Sequence, residues 1–163
     1  MSYNSIIEEV FDILGDSTPL YKDCGKLCGH ACCKGDGNIG MELFPNEETV
    51  LKVLSGERNI AVCDGNCRRN ERPLSCRFFP FIPYVHPDGH ISAQIDGRAI
   101  KVCPLAENAD IVKFNKDFLI KVRKAGRIMY RDPECREKLK EISLESDSYK
   151  KLFGYNKKFS KRR

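Results

Sequence analysis

Residues 24–33 read CGKLCGHACC, and residues 63–80 read CDGNCRRNERPLSCRFFP. With Cys103, in the segment KVCPL (101–105), they hold eight of the chain's nine cysteines. Thiolates packed this closely repel one another unless a cation or a covalent bond holds them. Disulfides suit small secreted chains with an even cysteine count. Here the count is odd and the spacings are short. The N-terminal stretch MSYNSIIEEVFDILGD also lacks the basic start, apolar middle and small-residue cleavage site of a secretory signal. The expectation is a cytoplasmic chain with reduced thiols, organised around a cysteine-ligated metal ion or iron–sulfur cluster.

The composition bounds the rest. A chain of 163 residues, 41% hydrophobic and 31% charged, fits one domain with a modest core. No apolar run approaches the ~18 residues that cross a bilayer, so no membrane partner is expected. The net charge of +5 is unevenly placed. Residues 147–163 carry seven of the 28 Lys/Arg and one of the 23 Asp/Glu, which leaves the body nearly neutral. That asymmetry argues against a broadly basic nucleic-acid-binding body.

Within the first knot, Cys24, Cys28 and Cys32 are separated by gaps of three residues. Such gaps wrap one centre at little closure entropy. Cys32 and Cys33 are adjacent, and neighbouring side chains point apart. The pair therefore serves two centres, touches different metals of one cluster, or includes a spectator. Zn2+ with four thiolates gives a closed structural site. A [4Fe–4S] cluster also takes four cysteines and adds redox or Lewis-acid chemistry. The candidate ligands are Cys24, Cys28, Cys32, Cys33, Cys63, Cys67, Cys76 and Cys103, and spacing alone does not choose between the two cofactors.

The knot, followed by Cys63 and Cys67, then Arg72-Pro73, Cys76-Arg77 and Phe79-Pro80, and closed by Cys103-Pro104, resembles the YkgJ-type cysteine-cluster family, a zinc- or iron-chelating domain. The resemblance spans residues 24–104, with three-residue gaps in the knot where the family pattern has two. Flagellin lysine-N-methylases are similar over the same cysteine pattern. The first resemblance implies a metal-chelating domain, and the similarity to the methylases implies an iron–sulfur enzyme that modifies a protein or peptide partner.

Residues beside the ligands have readable roles. Arg72 and Arg77 can offset thiolate charge and donate hydrogen bonds to sulfur, or lie at the surface as ordinary arginines. Phe78, Phe79, Pro80, Phe81 and Pro83 wall the site from water or simply form core. His30 sits inside the knot and reads as a loop histidine. His86 and His90 flank a turn and read as polar caps that could also bind a metal or shuttle a proton. Cys135 lies outside the cluster and reads as a buried or free thiol. No dinucleotide fingerprint, phosphate-binding loop, nucleophile elbow or HExxH pair is present.

The expected fold class is α+β: a small cysteine-rich single domain with irregular metal-binding loops, a short β-hairpin and three to four helices. The domain is expected over 1–145, with its motif core at 24–104 and a basic, poorly ordered tail at 146–163. Ile6, Ile7, Val10, Phe11 and Leu14 predict an amphipathic helix over 3–14, ended by Gly15. A second helix is predicted from Pro45 or Asn46 to Ser55, strands over 77–86 and 91–103, and a turn at Pro87-Asp88-Gly89 between them. A long helix is predicted over 105–125 and a shorter one after Asp132-Pro133.

The leading functional expectation is metal binding. Its alternatives are the methylase-like enzyme and a zinc-stabilised module that binds nucleic acid through the basic tail. In that last reading, Lys and Arg side chains interleaved with Phe153, Tyr155 and Phe159 supply charge and stacking.

Overall fold

The computed structural model describes residues 3–22, 40–63 and 68–157. Helical spacing of apolar residues builds α1 (Tyr3–Leu14), which buries Ile7, Val10 and Leu14. It ends at Gly15, whose φ of 50° suits a residue without a Cβ and whose N–H returns to the Phe11 carbonyl at 2.9 Å.

The centre of the fold is an antiparallel hairpin, β4 (Phe81–Val85) and β5 (Ile91–Ile95), joined through Pro87-Asp88-Gly89. The His86 N–H donates to the His90 carbonyl at 2.8 Å, and the Asp96 N–H to the Pro80 carbonyl at 2.8 Å. The alternation of an antiparallel ladder then puts Pro83 at a position whose N–H would face away from β5. Proline loses no ladder bond there, which explains how it sits inside a strand. The same alternation turns the Val85 N–H off the sheet, where Ser143 Oγ accepts it at 3.0 Å.

Helix α4 (Lys116–Met129) lies against this hairpin, and α1 packs on α4. The Phe81 ring meets Phe114 and Phe118 edge-on, with centroids 4.8 and 6.0 Å apart. Gly126 marks the closest approach of α4: a Cβ there would lie 2.5 Å from Pro83 Cβ and 2.9 Å from Ile91 Cγ2. Helix α5 (Pro133–Leu152) runs along β4. Asp132 caps it by accepting from the Cys135 N–H at 2.9 Å, and Pro133 fills its first turn. Among the described residues, no helix is long and apolar enough to cross a membrane.

A second sheet, in the order β1 (Gly40–Glu42), β3 (Ile60–Val62), β2 (Lys52–Leu54), is antiparallel throughout. It is tied to α5 by charge. Arg58 reaches Glu141 at 3.2 Å and Glu145 at 3.0 Å, and Lys138 pairs with Glu42 on β1. The remaining helices among the described residues are short: α2 (Leu74–Phe78) and α3 (Pro104–Glu107).

The mixed helix and strand content agrees with the α+β expectation, as do α1, the hairpin with its turn, and the start of α5. Several elements differ. The helix expected from residue 45 or 46 to 55 is absent. Pro45 and Asn46 are the central residues of a turn that the Glu47 N–H closes on the Phe44 carbonyl at 3.1 Å. Asn46 has φ 62°, the arrangement of a type II turn. The rest of that stretch supplies β2. The strand expected over 77–86 starts only at Phe81, because residues 74–78 form α2. The strand expected over 91–103 stops at Ile95. Asp96 Oδ1 then accepts from the Arg98 N–H at 2.9 Å and turns the chain into a 3-10 turn, Gly97–Ala99.

The long helix expected over 105–125 is two helices. Asn108 closes α3 with a side-chain bond to the Pro104 carbonyl at 2.9 Å, and Asn115 opens α4 by accepting from the Asp117 N–H at 3.1 Å. These breaks, with α2, raise the helix count among the described residues above the three to four expected. The last helix is long, not short, at 20 residues. It carries 146–152, which were expected in a poorly ordered tail, and Ser146 on it is fully buried. Beyond it, Tyr155 Oη donates to the Ala106 carbonyl at 2.6 Å and Lys157 Nζ donates to the Glu107 carbonyl. Residues 158–163 lie outside the described residues.

Candidate metal centre

Three of the eight candidate ligands fall on described residues, one within an ordered element and two beside one. Cys63 directly follows β3 and is half-buried. Cys76 is the central residue of α2 and is also half-buried. Cys103 is buried at the start of α3. Its N–H donates to the Ala99 carbonyl at 2.8 Å, its carbonyl accepts from the Ala106 N–H at 3.0 Å, and Pro104 fixes the next φ. Cys24, Cys28, Cys32, Cys33 and Cys67, together with His30, lie outside the described residues. Among the described residues, no three His, Cys, Asp or Glu side chains gather into a metal site.

The helix that carries Cys76 is only five residues long, too short to hold itself together, so its neighbours fix it. Ser75 Oγ donates to the Glu42 carbonyl on β1 at 2.7 Å. Arg77 spreads its guanidinium over three backbone carbonyls: Arg72 at 3.0 Å, Asn70 at 3.1 Å and Gly15 at 3.3 Å. Its carbon also stands 4.6 Å from the Phe11 ring centroid. One arginine thus joins the end of α1, the turn at 70–72 and α2. Phe78, Pro80, Phe81 and Pro83 are buried and Phe79 is partly so, in the core that backs this helix. Arg72 is half-buried beside it.

Glu47, which sequence reasoning left in the first turn of a helix, is the strongest brace. Its carboxylate is buried, with one oxygen accepting from the Leu74 N–H at 2.6 Å and the other from the Phe44 N–H at 2.8 Å. The first bond caps α2 two residues before Cys76. Burial pushes the Glu47 carboxyl up to about 7, against the pull of those two N–H groups and the charge of Arg77. The Pro45-Asn46 pair was the available signal, because reading it as a type II turn frees Glu47 to face inward.

Cys135 is buried, and its thiol is pushed up to about 12 by burial first and then by Asp132. At neutral pH it is a protonated thiol, a poor metal ligand and a poor nucleophile. His86 and His90 stand at the hairpin end, with His86 Nε2 at 2.8 Å from Ser92 Oγ.

No protein-family model, curated protein or solved structure matches this chain.

Proposed function

We propose that this protein binds Zn2+ or a [4Fe–4S] cluster through cysteines drawn from Cys24, Cys28, Cys32, Cys33, Cys63, Cys67, Cys76 and Cys103. The observation that carries this reading is the gathering of eight of nine cysteines between residues 24 and 103, in a knot, a Cys-Arg-Phe-Phe-Pro segment and a closing Cys-Pro. Thiolates at such density demand a counter-charge, and all-sulfur donor sets select zinc or iron–sulfur centres. The bracing of Cys76 by Glu47, Ser75 and Arg77 supports it, because a ligand held before the metal arrives loses less entropy on binding. Bound Zn2+ would supply a closed structural site, and a [4Fe–4S] cluster would supply redox or Lewis-acid chemistry.

Anaerobic purification followed by elemental analysis tests this. Brown protein with iron and sulfide identifies the cluster, and colourless protein with stoichiometric zinc identifies the ion. The metal is expected to be lost in Cys76→Ser and kept in Cys135→Ser. Chelation is expected to unfold or strongly loosen the chain, because binding of a structural metal is itself folding free energy, roughly 10 kcal/mol or more for small zinc domains. Metal-free protein with unchanged thermal melting would overturn the reading.

A further inference from the structure

We propose that His86 and His90 form a second, exposed site for a divalent d-block cation such as Zn2+, Ni2+ or Cu2+, separate from the cysteines. The two residues face each other across the hairpin end, where the His86 N–H donates to the His90 carbonyl at 2.8 Å. Directly opposite residues of an antiparallel pair project to the same face. Their imidazole centroids are 4.7 Å apart, with the rings inclined at 65°. The turn between them is closed. The Gly89 N–H returns to the His86 carbonyl at 2.8 Å, Gly89 holds φ 88°, and Asp88 Oδ1 accepts from the His90 N–H at 2.9 Å.

The His86 ring is itself oriented. Its Nε2 lies 2.8 Å from Ser92 Oγ, and the Tyr84 ring stands edge-on at 4.9 Å on one side. Ser92 Oγ is held in turn by Gln94 Nε2 at 3.3 Å, and Gln94 Oε1 accepts from Lys150 Nζ at 3.3 Å. Metal-ligating histidines characteristically give their other ring N–H to an oxygen acceptor, which fixes tautomer and orientation. With the hydrogen on Nε2 and donated to Ser92 Oγ, the lone pair of His86 is on Nδ1.

Two imidazoles suit zinc, copper and nickel. Because no third protein donor converges among the described residues, water or an external ligand fills the remaining positions. The site is therefore open and exchangeable, unlike a closed four-thiolate centre. It stands on different residues from the cysteine reading and does not depend on it.

The test titrates NiCl2 into the untagged protein as purified, with affinity read by calorimetry and the imidazole signals by NMR. His86 and His90 are expected to broaden first while His30 does not. His90→Ala, at an exposed position that leaves folding intact, is expected to weaken binding at least ~10-fold. Ser92→Ala is expected to weaken it by ~10-fold as a positioning effect, with thermal melting and cysteine-bound metal unchanged. Absence of binding below millimolar nickel overturns the proposal. So does binding that survives His90→Ala, which assigns the ion to the cysteines.

Discussion

Gly97→Ala is expected to destabilise the fold by about 3 kcal/mol, the upper range for forcing atoms into a packed site. Gly97 does not hold a left-handed backbone, so any residue could adopt its conformation. What it lacks is room. A Cβ would lie 2.1 Å from the Ser146 carbonyl oxygen, 3.0 Å from its carbon and 3.0 Å from Tyr149 Cβ. Two of those atoms are helix backbone and cannot rotate away, so α5 itself must shift. The shift would also break the bond from the Gly97 N–H to Ser146 Oγ at 2.8 Å. Urea unfolding measures the effect as a fall in midpoint with an unchanged slope. Ser146→Ala is the companion variant. It keeps the close approach and removes only the acceptor, stranding one buried N–H at a cost of about 1–3 kcal/mol. A Gly97→Ala protein as stable as the parent would show that α5 does not press on the Gly97–Ala99 turn as described.

Glu47→Ala is expected to cost about 2–4 kcal/mol, because it strands the Leu74 and Phe44 N–H groups in the interior and removes the cap of the Cys76 helix. Glu47→Gln keeps one acceptor oxygen and is expected to cost about half as much. The two variants share a second signature, in pH. The Glu47 carboxyl sits at about 7 in the fold against 4.5 ordinarily, so between those values the folded chain holds a proton that the unfolded chain has released. Stability from this group is therefore greatest at acid pH and falls as pH rises from 4.5 to 7, by about 3 kcal/mol. Unfolding curves at pH 5 and pH 8 are expected to lose that difference in Glu47→Gln. An unaltered difference in the variant would assign the pH dependence elsewhere.

Cysteine spacing nominated eight ligand candidates without any fold. Yet the two residues on which these predictions rest gave no comparable signal. Gly97 looked like one glycine inside a strand, and its reason for being glycine is the backbone of Ser146, 49 positions later. Glu47 looked like the acidic first turn of a helix, and its partner Leu74 is 27 positions on. Nothing in the sequence singled out Ser143 or Ser146, but each accepts a backbone N–H from the hairpin or the turn after it.

What the sequence alone determined is the set of features that near neighbours decide. The apolar spacing of Ile7, Val10 and Leu14 makes α1, Pro87-Asp88-Gly89 turns the hairpin, Asp132-Pro133 starts α5, and the cysteines crowd into one region. Tertiary structure decided the rest: that 45–54 becomes a turn and an edge strand, that the Asn115 N–H goes to the distant Pro19 carbonyl at 2.7 Å where one helical pattern splits in two, and that Glu47 and Ser146 turn inward. In each case the local propensity is worth tenths of a kcal/mol to about 1 kcal/mol per residue. A buried N–H left without an acceptor costs more than that, so the distant partner that supplies the acceptor sets the outcome.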